Sequence, residues 1–210
     1  MSLGLTILLI VIFGYASNWL NWHFLNHALT RYLYYVGACV HECSHALLCL
    51  VTGAKITEFS IFSSQPHVTH EKSRLPIIGN LLISSAPIFG GLLFLYLVNH
   101  FALADQFSIS ASDNLHDTLV NIFNLLAQIN LLTWQSWVML LLFINVGAML
   151  GPSFQDIRNI WPIVILLFFV PANIITGPVI TIAMTALGLI LVGIVIQLAA
   201  IVCVKVFKWL

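Results

Sequence analysis

The chain has 210 residues, of which 60% are hydrophobic and only 7% are Asp, Glu, Lys or Arg, with a formal net charge of zero. A soluble domain carries about 25% charged residues, so the composition excludes an ordinary water-soluble protein, and the lack of a basic excess excludes a nucleic-acid binder. What remains is a multi-pass protein of the lipid bilayer, all-α, with room for about six transmembrane helices of about 20 residues each. No separate soluble domain is left over, so residues 1–210 read as a single transmembrane domain.

Leu3 to Tyr15 is apolar, with no basic stretch before it and no small-residue cleavage signal after it. It reads as a retained first span, not a signal peptide. Asn18, Trp19, Asn21, Trp22 and His23 mark its interfacial end, where Trp is enriched, and His23 and His27 read as surface residues. Arg31, Tyr32, Tyr34 and Tyr35 anchor a second span that stops at Gly53. Within it stands His41-Glu42-Cys43-Ser44-His45. Residues four apart lie above one another on one helix face, so His41 and His45 can offer nitrogens to one ion, with Glu42 projecting beside them. This is the H-E-x-x-H arrangement, in which zinc takes the histidines and the glutamate works on a water. Ionisable groups at mid-membrane depth are costly unless paired, solvated or metal-bound, and a purely structural helix has no reason to keep three of them. Cys39, Cys43, Cys49 and Cys203 all fall in apolar stretches and read as packing residues.

After Gly53 the periodicity becomes extended. Ile56, Glu58 and Ser60 alternate with Thr57, Phe59 and Ile61, then Ser64-Gln65-Pro66 turns and His67-Val68-Thr69-His70 returns. The pattern predicts a small β-hairpin at the membrane surface, whose exposed edge can hold an extended peptide by main-chain hydrogen bonds. His67 and His70 are reserve metal ligands. A third span covers 76–98. It contains Ser84-Ser85-Ala86-Pro87 and Gly90-Gly91, small residues that permit close helix approach, with a kink at Pro87 if neighbours satisfy the freed carbonyl. The 99–133 connection holds Asp105, Asp113 and Asp117 and no Lys or Arg. Its apolar part, 115–132, is broken by His116, Asp117, Asn121, Asn124, Gln128 and Asn130, which predicts an interfacial or re-entrant helix, not a span.

A fourth span starts near Trp134 to Trp137, passes Asn145, and is loosened or kinked at Gly151-Pro152 ahead of Asp156. Trp161 and Pro162 open a fifth, which carries Pro171, Asn173 and Gly177-Pro178, and 183–204 is the sixth. Six spans put Lys55, Lys72, Arg74, Arg158, Lys205 and Lys208 on one side, against Arg31 alone. The positive-inside rule makes that side cytoplasmic, so both termini are expected in the cytoplasm.

The motif span, the stretch from Gly53 to Thr69, Pro87 with Gly90, and an aspartate after a Gly/Pro break cover 32–159 in order. Together they resemble the site-2 protease family, the intramembrane zinc metallopeptidases of the M50 class. The resemblance implies one Zn2+ per chain on His41, His45 and Asp156, with Glu42 as catalytic base. The implied activity is hydrolysis of peptide bonds in or near the transmembrane segments of membrane-protein substrates. The family signature N-x-x-P followed by D-G is not met. Asp156 precedes Ile157, and Pro152-Ser153-Phe154-Gln155-Asp156 resembles a divergent branch. Counted along straight helices, Asp156 lies about 28 Å down its span and His45 about 21 Å down its own, so the Gly151-Pro152 break is expected to bring Asp156 back to the metal. Two other classes compete: a catalytically inactive relative that binds membrane proteins and has no need of Glu42, and a metal transporter drawing on Asn145, Asp156 and Asn173.

Overall fold

Gly53 has a φ of +68°, a left-handed conformation that ends a helix at little cost only in glycine. Behind it Ala54 N–H donates to Cys49 O at 2.9 Å, closing the motif helix where the sequence pattern stops. The computed structural model describes residues 2–24, 28–61, 66–75, 78–108, 110–170 and 177–209. His27, Ser64, Gln65, Pro76, Pro171 and Asn173 lie outside the described residues. The elements in chain order are α1 (Leu3–Phe24), α2 (Ala28–Thr52), β1 (Ile56–Ser60), β2 (His67–His70), α3 (Ile78–Leu97), α4 (Leu115–Ala127), α5 (Trp134–Ile144), α6 (Val146–Leu150), α7 (Phe154–Phe168) and α8 (Pro178–Trp209). A π-helical turn, Val98–Ala102, extends α3. The main core, which includes Ile10, Leu95, Phe143, Met149, Met184 and Ile190, lies between α1, α3, α5, α6 and α8.

Among the described residues, four helices are long and apolar enough to cross a membrane: Leu3–Leu20, Tyr35–Thr52, Ile78–Ala102 and Pro178–Cys203. A fifth crossing results if Trp134–Ile144 and Val146–Asn159, bent by 52°, count as one. The chain is thus an all-α multi-pass membrane protein with four or five candidate spans, where six were expected. The expected division between a fourth and a fifth span fell at Trp161-Pro162, yet α7 runs through both residues. The real break is ten residues earlier, where Gly151 is extended and Ser153 caps a new helix. One bent run of helices stands where two whole spans were predicted. As expected, α4 is not a span; at 13 residues it is too short.

Contacts along the helices fix their directions. Thr6 meets Met184 and Ser17 meets Gln197, so α1 and α8 run parallel. Gly147 lies on Ser17, Gly151 on Gly14, and Leu167 and Phe168 on Gly4, so α6 and α7 run against α1. Gly90 lies on Ser44 and Ile83 on His45, so α3 opposes α2. α1, α3 and α8 therefore point one way, and α2, α6 and α7 the other.

The expected hairpin follows α2. β1 and β2 pair antiparallel, with Phe59 opposite Val68 and Ser60 opposite His67. The sheet lies along α2 and does not stop at its end, for the Tyr35 hydroxyl donates to Ile61 O. From Thr52 back to Tyr35 is about 26 Å of helix. Non-helical backbone beside a span is tolerated where it packs on protein. β2 packs on α2, while Glu58 and Phe59 are exposed. Alternation in the sequence foretold the strands but not their packing along α2.

Candidate metal centre

His41 and His45 stand one turn apart on α2, as the i, i+4 spacing requires, with their Nε2 atoms 3.1 Å apart. Asp156 arrives from α7, and its carboxylate gives one oxygen to each ring, at 3.5 Å from His41 Nε2 and 3.4 Å from His45 Nε2. All three residues are buried, at 6%, 7% and 5% exposure. The expected convergence of Asp156 with the histidines is present, and the break at Gly151-Pro152 makes it possible. α6 stops at Leu150, the chain crosses Gly151 and Pro152 in extended form, and α7 restarts with Asp156 in its first turn.

Ser153 fixes that carboxylate. Its Oγ accepts from Asp156 N–H at 3.2 Å, while Asp156 Oδ2 accepts from Ser153 N–H at 2.8 Å and from Ser153 Oγ–H at 2.6 Å. This is a capping box, in which side chain and main chain satisfy each other's orphan groups. α3 supports both neighbours of the site. Ile83 O accepts from His45 Nδ1 at 2.8 Å, and Ser84 Oγ accepts from Asn159 Nδ2, on α7, at 3.3 Å. The close approach of α3 depends on Gly90, where an added Cβ would overlap the Ser44 side chain within the motif. Glu42 lies between the histidines and the hairpin, with the Val68 backbone N–H of β2 beside its carboxylate. Glu71 N–H donates to Lys55 O. Amide directions alternate along a strand, so Val68 N–H belongs to the outer edge of β2, not to the ladder.

The donor set suits a cation. A carbonyl only accepts, so His45 Nδ1 carries the hydrogen and the neutral ring's Nε2 is a bare lone pair. That lone pair faces a carboxylate oxygen, and acceptor against acceptor in a buried site calls for a positive charge between them. Two ligands on zinc at about 2.0–2.1 Å stand about 3.3 Å apart at tetrahedral angles, close to the 3.1 Å between the two ring nitrogens and the 3.4 Å from His45 Nε2 to one Asp156 oxygen. The ligating atoms of His41, His45 and Asp156 lie within 4.8 Å of one another, and this is the group of three able to hold a metal ion among the described residues.

The other candidates go elsewhere. His67 pairs with Glu58 at 3.2 Å, His70 bonds Glu71 O, His23 bonds Trp19 O, and Asn145 bonds Leu141 O. All four cysteines are free thiols. Sequence reasoning missed Ser153, the Ile83 carbonyl and the Val68 amide. Only the first has a side-chain signal, the S-x-x-D spacing of a capping box. The family profile described as Peptidase M50B-like matches residues 16–176, well over half of the chain. No curated protein and no solved structure matches it.

Proposed function

Because the chain belongs to the Peptidase M50B-like family, we propose that it is an intramembrane zinc metalloprotease that hydrolyses peptide bonds in or near the transmembrane segments of other membrane proteins. The observation that carries this reading is the convergence of His41, His45 and Asp156 inside an apolar bundle, with Glu42 on the next position of the same helix. His41 Nε2, His45 Nε2 and the Asp156 carboxylate are the groups that would hold Zn2+. When bound, the ion supplies Lewis acidity, which acidifies water and polarises a carbonyl.

The chain's own residues do the rest. Glu42 accepts the proton of the attacking water and returns it to the leaving amine. Ser153 keeps the Asp156 carboxylate turned to the histidines, and Ile83 O does the same for His45. A peptide bond inside a helix is shielded by its own hydrogen bonds, so the substrate must be extended before attack. The outer edge of β2, beside Glu42, offers main-chain partners to such a strand. A relative that only binds membrane proteins would have no use for a carboxylate at Glu42.

The test is Glu42→Gln in protein reconstituted with single-span membrane substrates. Loss of the proton acceptor is expected to lower cleavage by roughly 10²–10⁴-fold while zinc content stays at the parent level. Cleavage at the parent rate removes Glu42 from the mechanism. A parent that takes up zinc but cuts none of a broad substrate panel turns the reading to the binding relative.

A further inference from the structure

Pro87 lies inside α3, and a proline within a helix cannot bond the carbonyl four residues before it. That carbonyl belongs to Ile83, and it is the one that accepts from His45 Nδ1 at 2.8 Å. We propose that Pro87 is a positioning residue for the metal centre. Lacking an N–H, it leaves the Ile83 carbonyl open to His45, which fixes that ring's tautomer and aims Nε2 at His41 and Asp156. The inference rests on reading the cluster as a metal site.

Three further observations favour it. A mid-helix carbonyl is ordinarily committed to its own helix, so a ring nitrogen rarely finds one free at the centre of a buried span. α3 is held close enough to use it, with Gly90 seated on Ser44 one turn further along. His41 gives the contrast, for its Nδ1 is buried with no hydrogen-bond partner. Of the two imidazoles, only His45 has its far nitrogen tethered, so the orientation of the pair depends on that one bond. Partners of this kind, donating or accepting behind a ligand, set ring orientation and metal affinity.

A packing role and a positioning role for Pro87 predict opposite signs. Pro87→Ala restores an N–H that competes for Ile83 O and also mends the helix. In the full-length protein in detergent, the metal-free form is expected to unfold at the same or a higher temperature. Its Zn2+ affinity, measured by competition with a chromophoric chelator, is expected to fall roughly 10–100-fold. Pro162→Ala, the same change within α7, is expected to leave Zn2+ affinity unchanged. A second measurement needs no metal: ¹⁵N shifts of the histidine rings should show His45 as the Nδ1–H tautomer in the parent and as a mixture in Pro87→Ala. If Ala is not accommodated, Pro87→Gly restores the same N–H and serves in its place. Unchanged Zn2+ affinity with an unchanged His45 tautomer overturns the proposal, as does an equal loss of affinity in the Pro87 and Pro162 variants. A parent that binds no Zn2+ but loses its Nδ1–H tautomer on Pro87→Ala overturns the protease reading and leaves the link from Pro87 to His45 standing.

Discussion

Gln197 on α8 sends its amide hydrogens to Ser17 Oγ on α1 at 2.8 Å and to Ile144 O at the end of α5 at 2.6 Å. At the other cluster the His45 Nε2 lone pair faces an Asp156 carboxylate oxygen at 3.4 Å, with His41 Nε2 3.1 Å from His45 Nε2. Both clusters are polar, buried and surrounded by apolar helices, so burial alone does not tell a site from an internal fastening. The match of donors to acceptors does. At Gln197, neutral amide hydrogens meet hydroxyl and carbonyl oxygens between α1, α5 and α8 and hold helices together, as polar groups do in lipid. The histidine cluster is complete only with a cation.

The sharpest break of that comparison is removal of a converging group. His41→Ala, His45→Ala and Asp156→Ala are each expected to lower Zn2+ affinity by more than the roughly 10–100-fold that a supporting residue costs. Elemental analysis of the purified proteins reads the result. Zinc content equal to the parent's in all three would make the two clusters equivalent. Ser153→Ala is intermediate: it removes the cap of α7, at about 1 kcal/mol, and releases the Asp156 carboxylate, with Zn2+ affinity expected to fall roughly tenfold. Denaturant unfolding and chelator competition report the two parts separately. The smallest effect belongs to the other cluster. Gln197→Leu is expected to cost about 0.6 kcal/mol of stability, and at most about 1.7 kcal/mol, with Zn2+ content unchanged. A fall in Zn2+ content there would join the two regions into one system.

Side-chain chemistry was legible in the sequence. The spacing of His41, Glu42 and His45 needed only a helix, and Asp156 came from the resemblance to the M50 class, which an aspartate after a Gly/Pro break helps to carry. The hairpin followed from alternation, and α4 from the polar residues that interrupt it. Main-chain contributions were not legible in the same way, because no residue type marks the Ile83 carbonyl or the Val68 amide as a partner. Pro87 comes nearest, since a proline announces which carbonyl it releases but not which group will take it. The number of spans was misjudged because hydropathy runs on through the break at Gly151, and tryptophan and proline at positions 161 and 162 resemble the start of a helix. The packing of the hairpin along α2 was not legible, because alternation says that a strand has two different faces, and nothing about what lies beyond either of them.

The side-by-side packing of α1 and α8 sets a timetable for assembly. Their contacts join residues 178 and 180 positions apart, Thr6 to Met184 and Ser17 to Gln197. At about 5–20 residues per second of synthesis, roughly ten to thirty-five seconds separate the emergence of the two helices. Through that interval the Ser17 hydroxyl on α1 has no Gln197 to meet, and the groove that α8 will fill stays open to lipid or to an insertion factor. A ribosome that stalls in the loop before α8 therefore leaves a chain whose metal-binding side chains are all made but whose bundle is unsealed, a defect that membrane quality control can sense along α1.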